Sequence, residues 1–169
     1  MDTVRAILTR RSVRQYRQPP VPDSVVEDLV RAAMQAPSAC NQQPWEFVVI
    51  TDRETLGRIA LANENAAMCA RAPVAILVCG NTADLKCGAY WQQDCSAATQ
   101  NLLLAAHDAG LGGVWTGVYP DAAKVTAFQA ILGLPDHVVP LAFVPLGYPA
   151  EQPEPENRYQ PDRVHRERW

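Results

Sequence analysis

Two stretches of this chain are almost purely apolar: PVAILVCG at residues 73–80 and VVPLAFVPLG at 138–147. Each has the length of a β-strand and falls well short of the ~20 residues that cross a bilayer. A strand with one wet face alternates, so the unbroken run of PVAILVCG predicts a strand covered on both faces. Such a sheet needs helices on either side, and the sequence supplies them. Val4, Ile7 and Leu8 recur at helical spacing within residues 3–10. Val25, Val26, Leu29, Val30, Ala33 and Met34 form one stripe that Asp23 or Ser24 can cap and that ends before Pro37. WEFVVIT reads as a first core strand, and Asp52 starts a helix that turns Leu56, Ile59 and Ala60 inward. Tyr90 to Ala109 is a long, Ala-rich helix ended at Gly110; GLGGVWTGVY is a strand and residues 121–132 are a further helix.

Alternating helices and strands with short joints give an α/β or α+β architecture. At 169 residues one domain is expected, residues 1–169, with 150–169 as an extended C-terminal tail. The tail is too poor in apolar residues to pack by itself, and its final Trp169 predicts that it docks on a surface. The arginines that interrupt MDTVRAILTRRSVR leave no secretory segment, so a cytoplasmic location is expected.

The net charge of −3 is unevenly spread. Residues 1–17 hold five Arg and one acid, residues 158–169 hold four Arg and two acids, and the middle holds six bases and fifteen acids. Nucleic-acid binding needs a broader basic face. Two short Arg-rich ends fit one local anion site, provided the fold brings them together.

Five cysteines, with no CxxC pair, argue against a disulfide framework and a thiolate zinc site. They are expected to be reduced and mostly buried, Cys40 serving as a small packing residue. His107, His137 and His165 fall on separate elements without metal-ligand spacing, so no metal is expected. Tyr90 and Trp91 can face a substrate or a subunit interface.

Two segments carry binding chemistry. RRSVRQY, Arg10 to Tyr16, offers three guanidinium forks and a hydroxyl within five residues, the donors a phosphate needs. A solvated basic helix end is the alternative reading. APSACNQQPW, Ala36 to Trp45, gathers small residues that let the backbone approach a ligand, with amides that donate and accept. A flat heterocycle with imide edges suits that mixture, and so does a turn whose amides satisfy its own backbone.

Together with APVAILVCG, YWQQDCSAATQNLLLAAHDAGLGGVWTGVYP and the closing GYPAEQPEPENRYQPDRVHRERW, these segments resemble, in order and from about Thr3 to Trp169, the compact branch of the flavin-dependent nitroreductase family. The resemblance implies an α+β fold with a central mixed sheet flanked by helices. It also implies a homodimer with FMN at the interface and C-terminal tails that reach the partner. Arg10, Arg11, Ser12 and Arg14 match the first flavin-binding motif, and Arg158 would join them at the phosphate. Pro37, Ser38, Ala39, Asn41 and Gln43 would come from the other subunit. Trp115, Thr116 and Gly117 would line the ring through backbone groups. NADH or NADPH would deliver hydride to flavin N5, and a nitroaromatic, a quinone or a similar small acceptor would take it in a ping-pong cycle. The flavin carries the chemistry, so no catalytic side chain is expected beyond Arg14 as a stabiliser of the reduced ring. Many larger members carry a Lys near the pyrimidine edge; here NENAAMCARAP has Asn63 and Asn65 but no Lys, leaving Arg14 as the main cation. A dehydrogenase or dehalogenase-type relative, and an FMN-storing protein without turnover, are the alternatives.

Overall fold

The computed structural model describes residues 1–169. Five helices, α1 Thr3–Thr9, α2 Asp23–Ala33, α3 Arg53–Ala62, α4 Trp91–Asp108 and α5 Ala122–Leu132, surround a five-stranded sheet. Its strands are β1 Trp45–Ile50, β2 Val74–Asn81, β3 Gly112–Gly113, β4 Thr116–Gly117 and β5 Val138–Gly147. The order is β1-β2-β5-β3, with β4 also on β5, and all of these pairs are antiparallel. The parallel element is an isolated bridge between Ser12 and Gly113.

β2 and β5 form the centre, with Ile76 opposite Val144 and Leu77 opposite Phe143. β5 carries two prolines that a central strand cannot pair normally, because proline lacks the N–H. Pro140 adjoins a register shift at Val78/Cys79. Pro145 faces the gap between β3 and β4, where Gly113 pairs Leu146, Thr116 pairs Phe143 and Val114–Trp115 between them stay unpaired. GLGGVWTGVY is therefore two short strands rather than the one expected.

The expected two-sided burial of β2 is present: Val74 through Cys79 are each 0–1 % exposed. Val74, Ile76 and Val78 join α2 and α4 in one apolar cluster, while Ala75, Leu77 and Cys79 join α3 and α5 in another. Each fully buried Leu, Ile or Phe contributes about 1.5–3 kcal/mol. Gly80 has no Cβ because the Trp91 ring occupies that space.

Local details depart from the sequence reading in two places. α2 begins after Pro22, so neither Asp23 nor Ser24 caps it; Asp23 is its first residue and its acidic first-turn charge. Residues Glu64–Arg71 form a 3-10 segment that apolar spacing did not disclose. Asp52, by contrast, caps α3 by accepting from Thr55 N at 2.7 Å. In the tail, Trp169 stands fully exposed on this chain, its ring centre 4.2 Å from that of His165.

Candidate functional site

The arginine motif leaves α1 at Arg10 and is fastened to the sheet edge. Val13 N donates to Gly113 O at 3.0 Å, and Val13 itself packs where a Cβ on Gly112 would sit. The Tyr16 hydroxyl donates to Val13 O at 2.7 Å and to Pro145 O at 3.1 Å. With Val13 and Tyr16 buried inward, the Arg14 side chain stays toward solvent and Arg11 is half-buried.

The tail returns to this motif. Ala150 N donates to Gln15 O at 2.9 Å, and Glu151 Oε1 accepts from Arg14 N at 2.6 Å. The result is a hollow of about 510 Å³ lined by Arg11, Ser12, Arg14, Gln15, Glu151, Pro153 and Arg158. Arg10 lies beside it. Arg10, Arg11 and Arg158 together line an adjoining hollow, so the two Arg-rich ends do converge, and burial, then the charges of Arg158 and Arg11, lower the pKa of the Arg10 guanidinium. One carboxylate answers two guanidiniums: Glu156 Oε2 is 2.8 Å from Arg11 Nη1 and 3.1 Å from Arg158 Nε. The Arg11 and Arg158 guanidiniums beside it hold the Glu156 carboxyl down to about 2. Arg11 Nη1 attracts that carboxylate as a charge but has no aligned hydrogen bond, and it is buried without any other partner. A buried guanidinium N–H faced only by one exposed tail carboxylate, in a cationic hollow, is a place for an anion with several acceptor oxygens.

Arg14 makes no ion pair and also lines a second hollow, of about 460 Å³, with Asn65, Trp115, Thr116, Gly117, Tyr119 and Lys124. Its wall is held from behind: Thr116 Oγ1 donates to Phe143 O at 2.8 Å and Asn63 Nδ2 to Gly117 O at 3.3 Å. Asn63 is thus spent on positioning, leaving Asn65 at the hollow. Lys124 was missed by sequence reasoning, because it comes from the first turn of α5 and not from the segment before β2 where a cation was sought. Its Nζ lies 3.4 Å from Asp121 Oδ2, so Arg14 is not the sole cation here. Asp121 caps α5, and its carboxyl is lowered chiefly by the backbone N–H of Lys124.

Pro37, Ser38, Ala39, Asn41 and Gln43 line neither hollow. Their loop sits at the start of α4, pinned by the buried Asp94, which accepts from Ala39 N at 2.9 Å and from Gln42 Nε2 at 2.7 Å. Gln43 N donates to Ser38 Oγ at 3.0 Å, and Gln43 Nε2 to Asn41 Oδ1 at 3.2 Å. Cys40, Asn41 and Gln43 all have positive φ, at 53°, 48° and 48°. Asn tolerates that region; Cys and Gln do so at a cost. Gln42 and Asp94 carry no chemistry of their own and were not foreseen.

The cysteine reading requires correction. Cys40 and Cys87 are joined by a disulfide, their Cα atoms 6.5 Å apart, while Cys69, Cys79 and Cys95 are free and buried. A spacing of 47 residues gives no hint that the loop before α4 returns to the Ser38–Gln43 turn. Trp91, left open between substrate and interface, is buried in the chain's own core, edge-on to Tyr119 at 5.0 Å; Tyr90 is exposed. His107 lies under Arg10: its Nε2 is 2.8 Å from Thr9 Oγ1, and burial followed by the Arg10 charge lowers its pKa. No helix is long and apolar enough to cross a membrane.

Comparison with known proteins agrees with this geometry. The model of the Nitroreductase family matches residues 7–68 and 60–148. A protein of Methanothermobacter thermautotrophicus described as "Putative NADH dehydrogenase/NAD(P)H nitroreductase" is 46% identical over 169 residues, covering 100% of this chain and 88% of its own. A crystal structure from Parabacteroides distasonis under the same description superposes with a TM-score of 0.95 at 43% identity, covering 99% of this chain and 98% of that one. One from Desulfovibrio desulfuricans, described as a "putative nitroreductase in complex with FMN", gives 0.85 at 29% identity, covering 98% and 96%. Sheet order, arginine motif and full-length similarity lead to one conclusion: the chain belongs to the nitroreductase family.

Proposed function

We propose that this chain is an FMN-dependent NAD(P)H oxidoreductase acting as a cytoplasmic homodimer of one-domain subunits, with the cofactor at their interface. The observation that carries the reading is the pair of hollows meeting at Arg14: one cationic, with an Arg11 N–H faced only by the tail carboxylate of Glu156, the other walled by Trp115, Thr116 and Gly117. An anionic head joined to a flat ring matches that division, and a relative of this fold has been solved with FMN. Arg10, Arg11, Ser12 and Arg158 hold the phosphate, and Arg14 and Asn65 face the ring's polar edge. Pro37, Ser38, Ala39, Asn41 and Gln43 are contributed by the second subunit, which accounts for their distance from both hollows in one chain. The exposed tail reaches over that subunit, and Trp169 docks there.

Bound FMN supplies reversible two-electron chemistry, which lets NADH or NADPH and a nitroaromatic, quinone or similar acceptor react in turn at one pocket. The protein's own part is binding, orientation and charge. Arg14 and Lys124 place positive charge beside the ring, which favours its reduced, anionic form. The test is the visible spectrum of purified protein, followed by anaerobic addition of each nicotinamide. A yellow protein that bleaches with one of them supports the reading, and turnover that requires an added acceptor separates catalysis from storage. A colourless protein that takes up no FMN would overturn it.

A further inference from the structure

We propose that the Cys40–Cys87 disulfide is a thiol-exchange site, open to small dithiols, whose reduction releases the Ser38–Gln43 loop and weakens flavin binding. The effect on flavin rests on the reading of that loop as the part of the FMN site given by one subunit to the other.

The loop is held by two kinds of tie. Asp94 and Gln42 supply hydrogen bonds: besides the two contacts to Asp94, Gln42 Oε1 accepts from Cys87 N at 3.0 Å and Gln42 Nε2 donates to Cys87 O at 3.2 Å. The disulfide is the covalent tie, and it attaches to a residue that itself lies in the left-handed region. Cys40 has φ 53° and ψ 24°, with Asn41 and Gln43 also at positive φ. A non-glycine residue stays there only while its surroundings over-determine it. Once the S–S bond opens, Cys40 is free to return to negative φ, and the turn re-aims the neighbouring Asn41 amide and Ser38 hydroxyl. The hydrogen bonds of Gln42 and Asp94 remain, so the loop loosens without detaching.

The other half of the bridge sits on an equally light segment. Between β2 and α4, residues 83, 84, 86 and 88–90 are exposed, and Leu85 alone packs against the core. In the single chain Cys40 is exposed and Cys87 half-buried, so a thiolate reaches the Cys40 sulfur before a second subunit and FMN cover the loop. The remaining thiols do not compete. Cys69, Cys79 and Cys95 are fully buried, and burial pushes them up to about 11, 12 and 12.

The exchange balances in two displacements. One thiolate of the dithiol attacks Cys40 Sγ; the Cys40–Cys87 bond breaks, a mixed disulfide forms and Cys87 leaves as a thiolate. The second thiol of the reductant then displaces Cys40 and closes its own disulfide. Two electrons pass to the protein and two protons finish on Cys40 and Cys87. An oxidised glutathione-type disulfide reverses both steps.

The test uses the full chain in oxidised form, after dithiothreitol, and as Cys40→Ser and Cys87→Ser. FMN affinity and hydrogen exchange without flavin at residues 38–43 are measured on each. Reduction or either substitution is expected to weaken FMN about tenfold, as a competent loop populated about a tenth of the time dictates. Exchange at residues 38–43 should quicken while β2 and α4 stay protected. Oxidised glutathione should restore the reduced protein, and the serine variants should ignore dithiothreitol. Equal affinity and equal exchange in both redox states would overturn the proposal. Loss of protection throughout the chain would also do so, making the bond a general staple. If no form binds FMN, the flavin reading fails, and the clamp stands or falls on the exchange rates alone.

Discussion

Arg11 Nη1 and Glu156 Oε2 lie 2.8 Å apart, so a carboxylate of the tail sits against the arginine that has no other partner. That carboxylate competes with any anion entering the hollow. Glu156→Gln should therefore tighten inorganic phosphate and FMN about two- to fivefold, the scale of an exposed ion pair, with the gain shrinking in high salt. Titration calorimetry at two ionic strengths checks it; an unchanged affinity would mean that Glu156 leaves the hollow freely. The Glu156 pKa, about 2, lies below the ordinary 4.5, so its contribution to stability is complete above 4.5 and is lost as pH falls toward 2.

Arg158 is the one tail residue placed to complete the cationic hollow. Arg158→Ala should weaken FMN at least about tenfold, the value of a charge-assisted contact, while leaving the thermal midpoint nearly unchanged because the side chain is mostly exposed. Equilibrium dialysis with free FMN and a melting curve together measure this. A large drop in melting temperature would recast Arg158 as a structural residue.

Alkaline pH should unfold the protein earlier than neutral heating leads one to expect. Burial raises the Tyr16 hydroxyl above its ordinary 10 and pushes the Cys69, Cys79 and Cys95 thiols up to about 11, 12 and 12. Raised acids stabilise the fold fully below their unfolded values and lose that contribution as pH rises past them, here from about 9 upward. Tyr16→Phe should cost about 1–3 kcal/mol at pH 7, since the Val13 and Pro145 carbonyls lose a buried donor, yet it should flatten the stability decline above pH 10. Denaturant melts from pH 7 to 11 provide both numbers.

Thiol counting gives a separate check on the covalent structure. With no reductant, the native protein should offer no rapidly reacting thiol to an aromatic disulfide reagent; unfolded in denaturant it should offer the three free cysteines, and after reduction all five. Five without reduction would remove the disulfide.

Trp91 should prove to be a core residue. Trp91→Ala is expected to cost about 3–5 kcal/mol by leaving a cavity beside Gly80, and Gly80→Ala about 1–3 kcal/mol by forcing a methyl into the same ring. Chemical denaturation resolves either. A loss below about 1 kcal/mol for Trp91→Ala would return it to the surface role that the sequence left open.

Helices and strands followed from the sequence where one physical signal ruled. The uninterrupted PVAILVCG run could only be a doubly covered strand, and Asp52 before a periodic stretch is a cap. Failures came where the deciding partner was far along the chain. Pro145 splits the GLGGVWTGVY strand from the opposite side of the ladder, and Cys87 meets Cys40 from 47 residues away, beyond β1, α3 and β2. The candidate site divides the same way. RRSVR and Arg158 declared themselves by charge and do converge. Asn65 was already named in the segment that lacks the Lys, whereas Lys124 entered because the first turn of α5 reaches the same hollow, which no local pattern encodes. The residues of the Ser38–Gln43 loop were recognised through resemblance, and their separation from both hollows within one chain could not have been read from spacing.

The sheet's division of the apolar interior into two clusters has a consequence for how substitutions combine. Leu102 packs with Ile76 and Val144 on one side, and Phe128 with Leu77 and Phe143 on the other, 5.4 Å between its ring and that of Phe143. Truncations on the same side share a cavity and should couple, whereas Leu102→Ala and Phe128→Ala should simply add. The chain thus possesses two nearly independent reservoirs of tolerance to mutation, so that drift on the α3–α5 side can proceed without drawing on the side that supports the Ser38–Gln43 loop.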